Sequence, residues 1–200
     1  MGKKNIGHRV REILEAEAGA ISAIPVDGHF EAAVTALAEC EGKVVTTGMG
    51  KAGHVAQKIA GTLCSTGTPA CYLHPGDAAH GDLGLVCPND VLVAFSTSGQ
   101  TREVIELLQL VRRIGIRCVV AVTSHPESEV RGLSDIVLSM GDIKEPCSLG
   151  LTPTASTAAM MAIGDALALV VMEQRGFSRE EYGLRHHGGY LGKKSRIPER

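Results

Sequence analysis

"VLVAFSTSGQTREVIELL", residues 91–108, decides the fold. It opens with an unbroken apolar run of strand length, 91–95, which reads as a strand buried on both faces. The run stops at Ser96-Thr97-Ser98-Gly99, and helical spacing of apolar residues takes over, predicting a helix over 100–114. A strand discharging through a short turn into a helix is half of a βαβ unit.

The same grammar recurs on both sides. Upstream, "KVVTT" (43–47) is a β-branched run broken by Gly48 and Gly50 and followed by a helical stretch, 53–65; "ACYLH" (70–74) reads as a further strand, followed by a Gly-, His- and Pro-rich loop, 75–90. Downstream, "RCVVAV" (117–122) and "DIVLSM" (135–140) complete five strands. Val10, Ile13, Leu14, Ile21 and Ile24 trace one face of an opening helix ending near Pro25, and Asp27 is placed to cap a second helix carrying Phe30, Ala33, Val34, Leu37 and Ala38. Thr152-Pro153 reads as a capping hydroxyl with proline at the first helical position, opening a helix that runs to about Arg175 and is ended by Gly176. Five apolar strands alternating with helices predict an α/β domain: a three-layer αβα sandwich on a five-stranded parallel, doubly wound sheet in flavodoxin-like order. In such sheets ligands sit beyond the carboxyl ends of the strands, where both Gly-rich turns fall.

That placement gives the quoted loop a chemical reading. A helix start leaves backbone N–H groups without intrahelical partners, and the helix dipole adds partial positive charge there. Ser96, Ser98 and Thr101 add hydroxyl donors, and Gly99 allows close backbone approach. The set matches a phosphoryl group, although S-T-S-G alone fits an ordinary capped turn equally well. "GMGKAG" (48–53) has neither Walker A spacing nor a G-x-G-x-x-G match, which disfavours a nucleotide fold.

Composition narrows the partners. At 200 residues and 44% apolar the chain fits one domain, 1–200, with no linker or second domain visible. A formal charge of −2 offers no basic field for nucleic acid or an anionic membrane, and 3% aromatics with no Trp offer no stacking platform. "AAMMAIGDALALVVME" (158–173) is shorter than the ~20 residues of a membrane span and is interrupted by Asp165, so a buried core helix is expected. "MGKKNIGHRVREILEAE" has no apolar signal region. Cysteines 40, 64, 71, 87, 118 and 147 form no C-x-x-C pair; reduced, mostly buried thiols of a cytoplasmic protein are expected.

The remaining reactive residues cluster in loops. Lys51, with Gly50 before it, sits in the tight turn after the first strand, where an ammonium could meet a phosphate or a developing oxyanion. His74, His80 and Asp82 lie in "LHPGDAAHGDLG" without a convincing third ligand, so no metal is expected; a neutral imidazole there could shuttle protons. Glu103 stands in the first turn after the hydroxyl loop, complementing the dipole or approaching a ligand. Glu145 precedes "PCSLGLTPT", and His186 and His187 stand in "RHHGGYLG", beside a glycine turn.

Taken together, "SxSGxTxE", "GMGK", "HPGDAAHGDLG", "LGLTPTxSTxxxxxxGDALA" and "HxGGxLG" resemble the sugar isomerase (SIS) domain family, in its arabinose-5-phosphate isomerase branch, over about residues 10–192. The resemblance implies interconversion of D-ribulose 5-phosphate and D-arabinose 5-phosphate, feeding the eight-carbon sugar acid of lipopolysaccharide or capsule. It implies a homotetramer with sites near subunit interfaces and no organic cofactor. By motif, Lys51, His80, Glu103, Glu145 and His186 fall on the family's active-site positions, and Ser96, Ser98 and Thr101, with Gly99, on its phosphate loop. Glu145 or His186 is the expected proton-transfer group, with Lys51 and His80 polarising oxygens or aiding ring opening. Gln100 stands where the family usually has Glu, Ala52 where Ser is common, His187 where Pro is usual and Tyr190 where Ala is common, which bears on the identity of the sugar. Relatives often append paired CBS domains after "GGxLG"; the sequence ends within ten residues of that motif, and no such pair is expected in it. Isomerisation of another sugar phosphate, such as a hexulose 6-phosphate, and non-catalytic phosphosugar sensing are the competing readings.

Overall fold

The computed structural model describes residues 3–188 and 190. Five strands form one parallel sheet: β1 (Val44–Gly48), β2 (Ala70–Tyr72), β3 (Val91–Phe95), β4 (Cys118–Thr123) and β5 (Ile136–Ser139), in the order β2-β1-β3-β4-β5. This is the expected doubly wound order, and it reverses between β1 and β3.

Side-chain alternation explains why the central strands carry no polar face. Val91, Val93 and Phe95 pack on one side with Val44, Val120 and Val122, while Leu92 and Ala94 pack on the other with Val45, Val119 and Ala121. The first side is covered by α2 (Gly28–Ala38), α3 (Gly50–Ser65) and α6 (Ala155–Gln174), and the second chiefly by α5 (Arg102–Ile114). A short α4 (Pro75–Ala78) adds Ala78 to the second side. The opening helix, α1 (Lys3–Ser22), touches no strand closely; it lies along α6. A closing helix, α7 (Arg179–Arg185), is not among the elements expected from the sequence and starts with a capping box between Ser178 and Glu181.

Local chemistry sets most boundaries. Asp27 accepts from the N–H of His29 (2.9 Å) and caps α2, as its sequence position predicts. Gly176, in the left-handed region at φ 63°, ends α6. The apolar stretch 158–173 does form a core helix: Ala159, Met160, Ile163, Leu167, Ala168 and Val171 are buried against the sheet and its neighbours. By length and hydropathy α6 could cross a membrane, but half of its most apolar window is buried inside the domain.

Two expectations are corrected. The last long helix does not begin at Thr152-Pro153; it begins at Ala155, because Glu145 rather than a threonine hydroxyl takes its free N–H groups. Nor are the thiols mostly buried. All six are free, but only Cys118 is inside; Cys64 and Cys87 are exposed, on the last turn of α3 and in a loop, where apolar neighbours in sequence do not cover them. Gly189 and residues 191–192 of the "HxGGxLG" motif, and the tail to 200, lie outside the described residues.

Candidate active site

The point where strand order reverses lies between the carboxyl ends of β1 and β3, and the two Gly-rich turns open there together. A cavity of about 300 Å³ lies between them, lined by Met49, Lys51 and Ala52 after β1, Phe95 to Ser98 and Thr101 after β3, His125 after β4, and Pro153 and Thr157 at the start of α6.

Two carbonyls of the β3–α5 loop are engaged by the end of β4 and the segment after it. Thr97 O accepts from Thr123 Oγ1 (3.1 Å), the N–H of Ser124 (3.1 Å) and His125 Nδ1 (3.0 Å), and Gly99 O accepts from the N–H of Val130 (3.2 Å). Ser96, buried, pairs through Oγ with Thr101 Oγ1 (3.0 Å) and accepts from the N–H of Gly99 (3.2 Å). Ser98 Oγ accepts from the N–H of Gln100 (3.2 Å). Gly99 sits at φ 62°, and a Cβ there would overlap Ser128 Oγ, so glycine is required by both conformation and space. Thr101 is the N-cap residue of α5 yet makes no side-chain cap hydrogen bond. Two of the loop carbonyls are thus engaged, and the hydroxyl residues Ser96, Ser98 and Thr101 line the cavity at the positive end of a helix dipole.

The β1–α3 turn is built by close backbone approach. A Cβ on Gly53 would lie 2.6 Å from Gly48 O and 2.8 Å from the Tyr72 hydroxyl, which itself donates to Gly48 O (3.0 Å). This brings Lys51 to the cavity on the first turn of α3. Among the described residues Lys51 makes no ion pair, and it also lines an adjoining 450 Å³ space with Glu17, His54 and Thr154. Thr154 Oγ1, beside that space, is buried without a hydrogen-bond partner, as is Ser124 Oγ after β4. Such atoms are costly unless water or a ligand meets them.

Glu145 is held differently. Its Oε2 accepts from the N–H of Thr154 (2.8 Å) and of Ala155 (3.0 Å), and its Oε1 accepts from the N–H (3.2 Å) and hydroxyl of Ser156. Partial burial pushes the carboxyl up, but the Ser156 hydroxyl and the three backbone donors outweigh it and hold its pKa below the ordinary range. Glu145 thus occupies the start of α6.

The expected site residues are only partly gathered within one chain. Lys51, Ser96, Ser98 and Thr101 meet at the 300 Å³ cavity, with Gly99 shaping its loop. Gly50 lines instead a larger space of about 820 Å³ beside α3, with His54, Tyr72, His74, Asp77 and Asp82. Glu103 is half-buried in the first turn of α5, and Gln100 is exposed in the loop. His80 is exposed, and it lines none of these spaces; neither do His186 and His187, at the end of α7. His186 donates from Nδ1 to Tyr182 O (2.9 Å), since a carbonyl only accepts, and its ring stacks on Tyr182 with centroids 3.8 Å apart. His125 was missed in the sequence, though a histidine two residues past a parallel strand satisfies the strand-end rule that located the other residues.

Fold and site define a class: a doubly wound α/β domain with a donor-lined cavity at its topological switch point. The family follows from comparison with known proteins. The SIS domain model matches residues 36–170, and the chain belongs to that family. It is 42% identical over 186 residues to arabinose 5-phosphate isomerase KdsD of Salmonella typhi, covering 92% of this chain and 56% of that protein. The chain spans about half the length of the curated relatives it matches. Among solved structures it is similar to a Bacteroides fragilis protein named for phosphosugar isomerisation in capsule formation, at 46% identity and TM-score 0.88, covering 92% of this chain and 98% of that one. It is also similar to a protein of Escherichia coli CFT073 solved in complex with arabinose 5-phosphate, at 32% identity and TM-score 0.89, covering 93% of this chain and 100% of that one.

Proposed function

We propose that the protein is an aldose–ketose isomerase of phosphosugars, interconverting D-arabinose 5-phosphate and D-ribulose 5-phosphate. The observation that carries this reading is the hydroxyl-lined Ser96–Thr101 loop at a helix start, with Lys51 lining the same cavity. The names of the relatives point the same way.

The reaction moves one proton between C1 and C2 through a cis-enediolate. Phosphate held by Ser96, Ser98 and Thr101 fixes one end of the open-chain sugar. Lys51 then stands where charge develops on the oxygens of C1 and C2 and stabilises it. Of the two candidate bases, the geometry favours His186. With Nδ1 protonated toward Tyr182 O, the neutral ring carries its lone pair on Nε2 and can take a carbon-bound proton. Glu145, ionised and saturated by four donors, is a weak base as it stands; its part is to order the α6 terminus beside the pocket. His80 and Glu103 complete the set by aiding ring opening and orienting neighbours.

His80 and His186 reach the sugar in a homo-oligomer, a tetramer by family resemblance, in which neighbouring subunits share sites. The exposed stripe Ile6, Val10, Leu14 and Ile21 on α1 supports assembly, since a 20-residue helix with an uncovered apolar face gains stability by burying it. The product would enter lipopolysaccharide or capsule sugar synthesis in the cytoplasm, and no organic cofactor or metal is required by this chemistry.

The test is a panel of pentose and hexose phosphates incubated in deuterated water and followed by NMR. Interconversion of the arabinose and ribulose phosphates with exchange at C1 or C2 is expected. His186→Ala is expected to lower turnover about hundred-fold or more with little change in KM. Binding of sugar phosphates without turnover of any would replace isomerisation with sensing.

A further inference from the structure

We infer that His125 is a proton-coupled anion clamp, a binding residue whose imidazolium form grips the phosphoryl group. The inference rests on the reading of the Ser96–Thr101 loop as a phosphate site and deepens it.

Three observations carry it. His125 lines the same cavity as Ser96, Ser98, Thr101 and Lys51. Its ring is fixed: Nδ1 lies 3.0 Å from Thr97 O and its own N–H donates to Thr123 Oγ1 (3.1 Å), so two hydrogen bonds tie one residue to the phosphate loop and to the end of β4. Finally, a backbone carbonyl can only accept, so Nδ1 carries a hydrogen in both charge states.

The consequence lies at the other nitrogen. In the neutral ring Nε2 is a lone pair, which repels a phosphoryl oxygen. Only the imidazolium places an N–H there, and it then adds a charge-assisted hydrogen bond to a dianion. Binding of a dianion at Nε2 therefore favours the protonated ring and is coupled to proton uptake. Because binding takes up a proton, affinity is greatest at low pH and falls as pH rises. The loop hydroxyls and backbone N–H groups do not titrate in this range, so the dependence belongs to His125 alone among the loop's donors. Lys51, on α3, is the other titratable group lining the cavity. On the turn after His125, Glu127 is paired with Arg131 at 3.4 Å, and Glu129 follows.

Inorganic sulfate isolates the effect, because it is a tetrahedral dianion throughout the range and contributes no titration of its own. Sulfate is titrated into the full chain at about pH 6 and about pH 8.5, with the amide signals of Ser96 to Thr101 followed by NMR. The affinity is expected to drop about ten-fold between the two, the size of one charge-assisted hydrogen bond. In His125→Gln, which keeps Lys51, Glu127, Glu129 and Arg131, the dependence is expected to vanish while sulfate still binds. A melting curve of the variant verifies that it is folded. A wild-type affinity that does not change with pH, or a dependence that survives in His125→Gln, overturns the clamp and leaves the phosphate loop standing. Failure of either sulfate or inorganic phosphate to move the loop amides at any pH overturns both.

Discussion

Two helices begin beside the same cavity, and their ends are handled in opposite ways. At α6 the free N–H groups of Thr154, Ala155 and Ser156 are all taken by the carboxylate of Glu145, an anion supplied by the chain itself. At α5 the N-cap residue Thr101 makes no side-chain cap, the nearby carbonyls of Thr97 and Gly99 are engaged, and hydroxyl residues line the cavity. Both termini carry the same dipole. What separates a structural helix start from a ligand site is whether the protein fills the place with its own charge.

The filled end is the one whose disruption costs most. Glu145→Gln keeps the shape and removes the charge at α6. Turnover in the isomerase assay is expected to fall about hundred-fold or more, because Pro153 and Thr157, at the start of that helix, line the cavity. Stability is expected to fall by about 1–3 kcal/mol in urea unfolding, the range of a lost charged cap. Unchanged turnover would show that the α6 terminus plays no part in the reaction.

At the open end, Gly99→Ala probes how rigidly the loop is held. With φ at 62° and Ser128 Oγ in the way, the methyl is expected to destabilise the protein by about 1–2 kcal/mol and to raise KM about ten-fold by deforming the loop. A variant with wild-type KM and melting temperature would mean that the loop is not held as described.

A pH profile distinguishes the two ends without mutation at α5. Glu145 has a folded pKa below its ordinary value of 4.5, so its contribution to stability is complete above that value and is lost as pH falls through the folded one. The acid limb of the stability curve is expected to be shallower in Glu145→Gln than in wild type; equal limbs would remove the cap from the account. The smallest effect is expected for Ser98→Ala, which removes one exposed-side hydroxyl: KM should rise a few-fold, by about 0.5–1.5 kcal/mol, with turnover retained. A loss of turnover with KM unchanged would move Ser98 from binding to chemistry.

Much of this contrast was legible in the chain. The apolar run 91–95 and the stop at Ser96 are unambiguous because a central parallel strand has no solvent face to mark with polar residues, and the helix start that follows must leave donors free. Lys51 was legible as well, between glycines that permit the tight approach of α3 to Gly48. Glu145 was legible only as a motif position. Its capping role depends on a carboxylate reaching residues nine to eleven positions further on through an irregular loop, whereas Thr152-Pro153 advertises a start that the helix does not use. The expected burial of the cysteines failed for a related reason: an apolar neighbourhood in sequence does not say which side of a helix or loop faces water.

The five strands, the long helices around them and the hydroxyl loop after β3 were legible in the amino-acid order, because each follows from local periodicity and turn chemistry over a few residues, whereas the short helices α4 and α7 were not. Folding in three dimensions was needed to fill one helix terminus and leave the other open, to bring His125 to the cavity, and to leave His80 and His186 outside it within one chain. Those outcomes depend on distances between segments far apart in the sequence, which side-chain patterning within any one segment does not encode.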